Sequence, residues 1–95
     1  MLIKAIVTMY TALETCKIPN CIMANGKQVA EGYIACPRNI KLGTKIQIEE
    51  IGEYECGDRT NLKYNGRFDI FAGFDKVDYI NALKFGKKKL KIIVK

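Results

Sequence analysis

The sequence predicts an all-β domain with one short helix, closed into a small barrel. Three observations favour this class. Short runs rich in β-branched and aromatic residues recur, turn-forming residues separate them, and one late helical pattern is followed by a last strand-like run. Short strands with a late closing strand favour a barrel over a sandwich. The 95 residues suffice for one domain with a modest core, so we expect residues 1–95 to form a single unit.

The first half of the chain contains two strand-like runs joined by a long connection. Leu2–Thr11 alternates loosely and is predicted as the first strand. The connection Ala12–Gly26 holds Pro19 and ends in Asn-Gly, which readily adopts positive φ. Gln28–Cys36 is predicted as the second strand, and Gly32 within it is suited to a bulge.

Four more strands are predicted in the second half. A tight turn at Ile40–Thr44 precedes Lys45–Ile48, which alternates polar and apolar residues. Short apolar or alternating runs follow at Glu53–Cys56 and at Phe68–Phe71, and Lys89–Val94 is the closing strand.

A single helix is predicted over Asp75–Phe85. Asp75 can cap its first turn, and Gly86 can end it. The apolar face is expected at three- and four-residue steps, on Val77, Ile80, Leu83 and Lys84 or Phe85.

The charge balance and the absence of histidine limit the possible functions. The net charge of +6 favours polyanionic partners, namely nucleic acid, an acidic glycan or teichoic-acid-bearing wall, or an anionic membrane. Without histidine, Ser-His and Cys-His pairs are excluded, so acid/base chemistry falls to Asp, Glu, Lys, Tyr or Cys. The lysines of Lys87–Lys91 form either a solvated strand edge that resists aggregation or a binding patch for such a polyanion.

Four cysteines allow three disulfide connectivities. Proximity in sequence favours Cys16 with Cys21 and Cys36 with Cys56. A zinc site of four thiolates and free buried thiols are the alternatives. Since disulfides persist in oxidising surroundings, this cysteine content favours the cell exterior.

No run is long enough to span a bilayer, and no signal-peptide pattern is visible. We therefore expect no transmembrane segment. The chain is expected to be a cytosolically made protein, a phage-type product, or a domain of a longer secreted chain.

Two carboxylates bracket the polar stretch Asp58–Asp69, which is predicted as a loop between strands. A loop that leaves one strand with an aspartate and enters the next with another can bring two carboxyls together as an acid/base site. The alternative is that both aspartates serve only as turn or strand-edge residues.

Five segments carry a resemblance to a known family. They are, in chain order, Met9–Ala12, Ala24–Gly26, Ile34–Lys45, Asp58–Asp69 and Ala82–Lys88. In this order and spacing they resemble the opening strand, the A-N-G turn, the L-G-T-K turn, the aspartate-to-aspartate segment and the A-L-x-F-G helix end of the three-aspartate (3D) domain. The resemblance covers nearly the whole chain.

The resemblance implies a six-stranded double-psi β-barrel. The group includes the catalytic barrel of membrane-bound lytic transglycosylase A, stationary-phase and spore muralytic proteins and, more distantly, rare lipoprotein A. It implies cleavage of the bond between N-acetylmuramic acid and N-acetylglucosamine in peptidoglycan, with a 1,6-anhydro product. One carboxyl acts first as acid and then as base, and the sugar's own 6-hydroxyl is the nucleophile. Neither a metal nor a cofactor is therefore expected.

The resemblance assigns roles to individual positions. Asp69 matches the catalytic aspartate, and Asp58 matches the second aspartate. A carboxylate at Asp58 is expected to raise one pKa of the pair, because like charges disfavour double ionisation. Tyr10 and Thr44 lie near matched motifs and are weaker candidates for glycan contact, with core or turn roles as the alternative.

This chain departs from the family pattern at two places. Cys36 stands where the first aspartate is expected, and Thr60–Asn61 replaces a glycine pair. A bridge between Cys36 and Cys56 would tie the second strand to the Asp58 segment, since residues two apart in a strand share a face. The alternative is a free Cys36 thiol.

The leading expectation is a lytic transglycosylase-like domain that acts on peptidoglycan strands as a monomer. It is expected to act outside the cell, in the wall or in the periplasm. It would reach that location as a domain of a longer chain or as a protein delivered by a phage. A non-catalytic glycan-binding module is the first alternative. A basic phage-type structural or interaction protein is the second. Nucleic acid is not expected as a partner, because no aromatic residues interleave with the lysine cluster as a stacking platform requires.

Overall fold

Six β-strands close into a barrel in the computed structural model, which describes residues 1–15 and 21–95. The strands are β1 (Leu2–Thr11), β2 (Tyr33–Cys36), β3 (Lys45–Ile48), β4 (Gly52–Arg59), β5 (Phe68–Gly73) and β6 (Lys88–Val94). The helices are the four-residue α1 (Ala12–Thr15) and the ten-residue α2 (Lys76–Phe85), with a 3₁₀ turn at Leu62–Tyr64. The prediction of an all-β barrel with one short helix is confirmed, and α1 adds a single helical turn that was not predicted.

The strands do not follow chain order around the barrel. Their order is β1-β5-β2-β4-β3-β6, and β6 returns to β1. Two neighbouring pairs are parallel, β1 with β5 and β2 with β4, and the other four pairs are antiparallel. This order places β2 between β4 and β5. The short strand β2 therefore pairs with both strands that hold the ends of the segment Asp58–Asp69.

Two predicted segments, the second strand and the loop Asp58–Asp69, have different bounds in the structure. The second strand is only four residues long, because Gly32 has a φ of +94° and lies in a turn, while Gln28 forms an isolated bridge with Ile22. The segment Asp58–Asp69 is only partly a loop. Asp58 lies within β4, which runs on to Arg59, and Asp69 lies within β5.

The core has two parts. Inside the barrel, buried residues from all six strands pack together, among them Val7, Ile34, Ile46, Phe68 and Ile92. A second cluster lies on the outer face of β1, β2 and β5, where the segment 21–29 covers the barrel; it comprises Tyr10, Ala12, Cys21, Met23, Val29, Ala35 and Phe71.

Helix α2 begins at a capping box in which Asp75 accepts a hydrogen bond from the Asp78 backbone and the Asp78 side chain accepts from the Asp75 backbone. The predicted cap and the end at Gly86 are confirmed. The predicted apolar face is only partly right. Phe85 packs against the inner core, but Val77, Ile80 and Leu83 are 65%, 41% and 61% exposed.

The capping box explains the rotation of the helix. A Cβ atom at Gly73 would lie 2.0 Å from the Asp78 carboxylate, so Asp78 is directed at the end of β5. Ala82, one turn later, is then buried against the barrel, and its small side chain permits a close approach. Among the described residues, no helix has the length and apolar character needed to cross a membrane.

Candidate functional site on the outer face of the barrel

Asp58 and Asp69 lie in one row across three neighbouring strands. Ala35 of β2 pairs in register with Asp58 of β4 on one side and with Asp69 of β5 on the other. Two strand spacings separate the aspartate Cα atoms, about 9.5 Å. Ala35 belongs to the outer cluster, and residues in register share a face, so both carboxylates lie on the outside of the barrel.

A β-bulge at Gly57 directs Asp58 outward. Ile34 pairs with Cys56, but Ala35 pairs with Asp58, so β4 has one extra residue between them. Cys56 is in the inner core and Asp58 is on the outer face. The expectation that Cys56 and Asp58 share a face, as residues two apart in a regular strand do, is therefore wrong. A Cβ atom at Gly57 would lie 2.5 Å from the Tyr33 ring, which explains a glycine there.

Backbone groups hold the half-buried Asp58 carboxylate in place. Its Oδ1 atom accepts hydrogen bonds from the backbone N–H of Ala24 (3.1 Å) and of Arg59 (2.9 Å). The backbone N–H of Asn25 also donates to the Gly57 carbonyl at 3.0 Å. The Ala24–Gly26 turn therefore rests on the β4 bulge, and two motifs that are distant in sequence meet at Asp58.

Asp69 has a side-chain partner on the neighbouring strand. Its Oδ1 atom accepts a hydrogen bond of 2.9 Å from the Thr8 hydroxyl, and the two residues are paired in register between β1 and β5. Sequence reasoning did not single out Thr8. The signal was present, because Thr8 and Tyr10 lie two apart in a predicted strand and so share a face.

Tyr10 joins this group from the same strand. Its side chain is buried, and its ring packs edge to face on Phe71. Burial raises the pKa of Tyr10 far above its ordinary value, and the negative charges of Asp58 and then Asp69 raise it further. The Tyr10 hydroxyl is near enough to Asp58 to interact with its charge, but it does not form a hydrogen bond with it in this conformation. Within the described part of the chain, the hydroxyl has no other hydrogen-bond partner. Tyr10 is therefore a neutral phenol beside two carboxyls.

Cys36 does not lie in the row of carboxylates. It forms a disulfide with Cys56, with 5.9 Å between the Cα atoms, and both residues are fully buried in the inner core. The Cys36 and Cys56 sulfurs lie 3.6 Å and 4.0 Å from the backbone oxygen of Asp58, so the bridge supports the site from inside the barrel. The predicted Cys36–Cys56 pairing is confirmed, and it removes these sulfurs as zinc ligands.

The other cysteine prediction is tested only in part. Cys21 is disulfide-bonded, and the described residues include no free cysteine. Its predicted partner, Cys16, lies outside the described residues. Within the described ranges, no group of three or more Cys, Asp or Glu residues is arranged to hold a metal ion.

Arg59 closes the end of the barrel at the disulfide. Its guanidinium lies 3.4 Å from the Cys36 sulfur and donates to the carbonyls of Pro37 (2.8 Å) and Ile40. The arginine follows Asp58 directly, so the bulge that directs the carboxylate outward also directs this cation inward.

Thr44 is not brought to the two carboxylates. It lies on the other side of β4, where its backbone oxygen accepts from the Cys56 N–H at 2.9 Å and its N–H donates to Lys41 at 3.2 Å. A cavity of roughly 370 Å³ opens at the barrel end near α2, and its lining residues include Met9, Tyr54, Ile70 and Asp78. Neither Asp58 nor Asp69 lines this cavity. Asp58 and Asp69 are both half-buried and lie on the outer face of the barrel.

Comparison of the chain with known protein families and with curated proteins found no match.

Proposed function

We propose that this domain cleaves the glycan strands of peptidoglycan as a lytic transglycosylase, with Asp69 as the acid/base. The observation that carries the proposal is the row in which Asp58 and Asp69 flank Ala35, with the Tyr10 hydroxyl close to both carboxyls. The resemblance to the 3D domain supports the same two residues, and the closed six-stranded barrel is the architecture that it implies.

The hydrogen-bond partners support different roles for the two aspartates. Asp58 accepts from two backbone N–H groups, which can only donate, so its Oδ1 atom is fixed as an acceptor. Asp69 is bound by the Thr8 hydroxyl, which can donate to a carboxylate and can also accept from a carboxylic acid. The Thr8 hydroxyl is compatible with either protonation state of Asp69, which supports the acid/base role for Asp69 and a positioning role for Asp58.

The proposed reaction uses one proton and no water. Asp69 protonates the glycosidic oxygen as the bond to C1 of N-acetylmuramic acid breaks. The 6-hydroxyl oxygen of the same sugar then bonds to C1, and its proton passes to Asp69. Since the nucleophile is part of the substrate, the separation of the two carboxyls does not have to admit a water molecule, unlike the geometry of an inverting hydrolase.

The test is mass spectrometry of muropeptides released from purified cell wall. The wild-type protein is expected to release 1,6-anhydro products, and Asp69→Asn to release them at least about 100-fold more slowly, the usual contribution of a general acid. Glu31→Gln, which neutralises an exposed carboxylate elsewhere, is the matched control and should retain full activity. Full activity in Asp69→Asn would contradict the assignment.

A non-catalytic glycan-binding module is the second candidate. It is favoured by Cys36, which matches the family's first aspartate but is buried in a disulfide and therefore supplies neither an acid nor a base. Retention of the protein on purified wall with no released product would select this function over cleavage.

A further inference from the structure

We propose that the outer face of β1 and β6 binds a phosphodiester polymer of the cell wall, of the polyol-phosphate (teichoic-acid) type. The surface concerned is the basic strip, defined as Lys4, Lys89 and Lys91. The proposal takes the wall as the setting from the proposed function, but it does not depend on catalysis.

Strand register places the three lysines on one face. Lys4 of β1 pairs directly with Lys91 of β6, and Ile6 pairs with Lys89. The alternate residues Ile3, Ala5 and Leu90 pack on the inner core, so the strip lies outside the barrel. All three lysines are exposed.

The strip carries unneutralised charge. Two like charges directly opposite each other in an antiparallel pair destabilise the sheet. No ion pair joins Lys4, Lys89 or Lys91 to a carboxylate among the residues that the structure describes. Glu49 is near, but it accepts its hydrogen bond of 2.9 Å from the Lys91 backbone N–H. An anionic ligand would relieve this repulsion.

Lys89 and Lys91 lie on the part of β6 that pairs only with β1. The register with β1 covers Lys88–Ile93, whereas the register with β3 covers only Ile92, Ile93 and Val94. On the β3 side, Lys89 and Lys91 therefore lie beyond the paired residues, where lysines also protect a strand from pairing with another chain. Edge protection accounts for charge at these positions, and the direct opposition of Lys4 and Lys91 is what points to an anion in addition.

The residues around the strip favour a flexible phosphate polymer over nucleic acid. The outward residues beside the strip are aliphatic (Leu2, Ile6, Ile93), and none is an arginine. The aromatic residue farther along this face of β1, Tyr10, is buried and so is not exposed for stacking on a base. Lysine ammonium groups act as point charges, which suit singly placed phosphates. The Cys36–Cys56 disulfide also favours an oxidising exterior, where wall polymers are found.

The spacing fits a repeating anion. The Lys4–Lys91 pair and Lys89 are two residues apart along the strand, about 6.7 Å, and the paired Cα atoms are about 5 Å apart. One phosphate can therefore lie between Lys4 and Lys91, and the next phosphate of a polyol chain can reach Lys89. One further row along β1 is Thr8, which is bonded to Asp69, so the strip leads toward the candidate site.

The experiment measures binding of purified polyglycerol phosphate by titration calorimetry at physiological salt. The variant Lys4→Gln/Lys91→Gln is compared with the control Lys27→Gln/Lys41→Gln, which removes the same charge at exposed positions elsewhere. We expect the strip variant to lose about 10- to 30-fold in affinity, since each lysine near an anionic surface contributes several-fold, and the control to lose less than about threefold. Both variants should keep the wild-type circular dichroism spectrum.

Several results would overturn the proposal. These are equal losses in the strip and control variants, no binding of polyglycerol phosphate, or tighter binding at equal phosphate concentration to duplex DNA or to phosphatidylglycerol vesicles. The outcome is separable from catalysis. Asp69→Asn should bind the polymer as the wild type does, and a protein that binds the polymer but forms no anhydro product would refute only the proposed activity.

Discussion

Asp58 and Asp69, eleven residues apart in sequence, are both paired in register with Ala35, one from each side of β2. Neither aspartate is a turn residue. The bulge at Gly57 and the parallel pairing of β2 with β4 direct Asp58 to the face that Asp69 already occupies. The row depends on strand pairing, so changes that disturb the pairing should affect both carboxyls.

The hydroxyl of Thr8 should tune the acid/base function of Asp69. In Thr8→Val, which keeps the branched shape and removes the 2.9 Å hydrogen bond, we expect cleavage of cell wall to fall about tenfold, the usual value of one hydrogen bond. Thr8→Ser, which keeps the hydroxyl, should restore most of the activity. A serine variant as impaired as Thr8→Val would indicate a packing role of the threonine methyl group instead.

The Cys36–Cys56 disulfide should stabilise the domain. The bridge links positions 20 residues apart, and a loop of this length corresponds to about 3 kcal/mol of unfolding free energy. Cys36→Ala/Cys56→Ala should therefore unfold at clearly lower urea concentration than the oxidised protein. Because Asp58 O lies beside both sulfurs, hydrogen exchange near Asp58 should also accelerate. An unchanged urea midpoint, with the bridge verified by mass in the wild type, would contradict this role.

Gly57 should not tolerate a side chain. In Gly57→Ala the new Cβ atom would lie 2.5 Å from Tyr33 Cδ1 and 3.0 Å from Asn25 Nδ2, so we expect a loss of about 1–3 kcal/mol in unfolding free energy from overpacking. The double variant Gly57→Ala/Tyr33→Leu should recover part of the loss. If Gly57→Ala alone is as stable as the wild type, the close approach of Tyr33 is not a constraint.

Tyr10 should make stability fall at alkaline pH. Its pKa is raised in the folded state by burial and by the charges of Asp58 and Asp69. Above the ordinary tyrosine pKa of about 10 the unfolded chain ionises while the folded phenol stays neutral, so unfolding becomes more favourable as pH rises. Urea unfolding at neutral and alkaline pH should show a smaller alkaline loss in Tyr10→Phe than in the wild type. Tyr64→Phe, at an exposed position, should behave like the wild type.

Local signals predicted the elements that depend on local sequence. The alternation of Lys45–Ile48 and the cap at Asp75 fix their elements without reference to distant residues, and both agree with the structure. The pairing of Cys36 with Cys56 was also predicted, from proximity in sequence, and it agrees with the structure. The two site aspartates were predicted from their positions at the ends of one polar stretch, and the resemblance then assigned their roles. Their placement in one row could not be obtained from either strand alone.

Features that depend on partner strands were missed. The bulge at Gly57 is visible only in the register between β2 and β4, so the regular two-residue alternation placed Asp58 on the wrong face. Helix α2 was predicted to bury Val77 and Leu83, but the contact between Asp78 and the end of β5 sets a different rotation. The contact of Thr8 with Asp69 depends on the pairing of β1 with β5, which could not be read from either strand alone.

The most direct test of the proposed activity is mass spectrometry of wall digests with the wild-type protein, Asp69→Asn and Asp58→Asn, each shown to be folded. We predict 1,6-anhydro muropeptides with the wild type, essentially none with Asp69→Asn, and a reduced yield with Asp58→Asn because the positioning carboxylate is lost. Wall digests that contain no 1,6-anhydro product with the wild type, or the same amount with Asp69→Asn, would contradict the assignment of Asp69 as the acid/base.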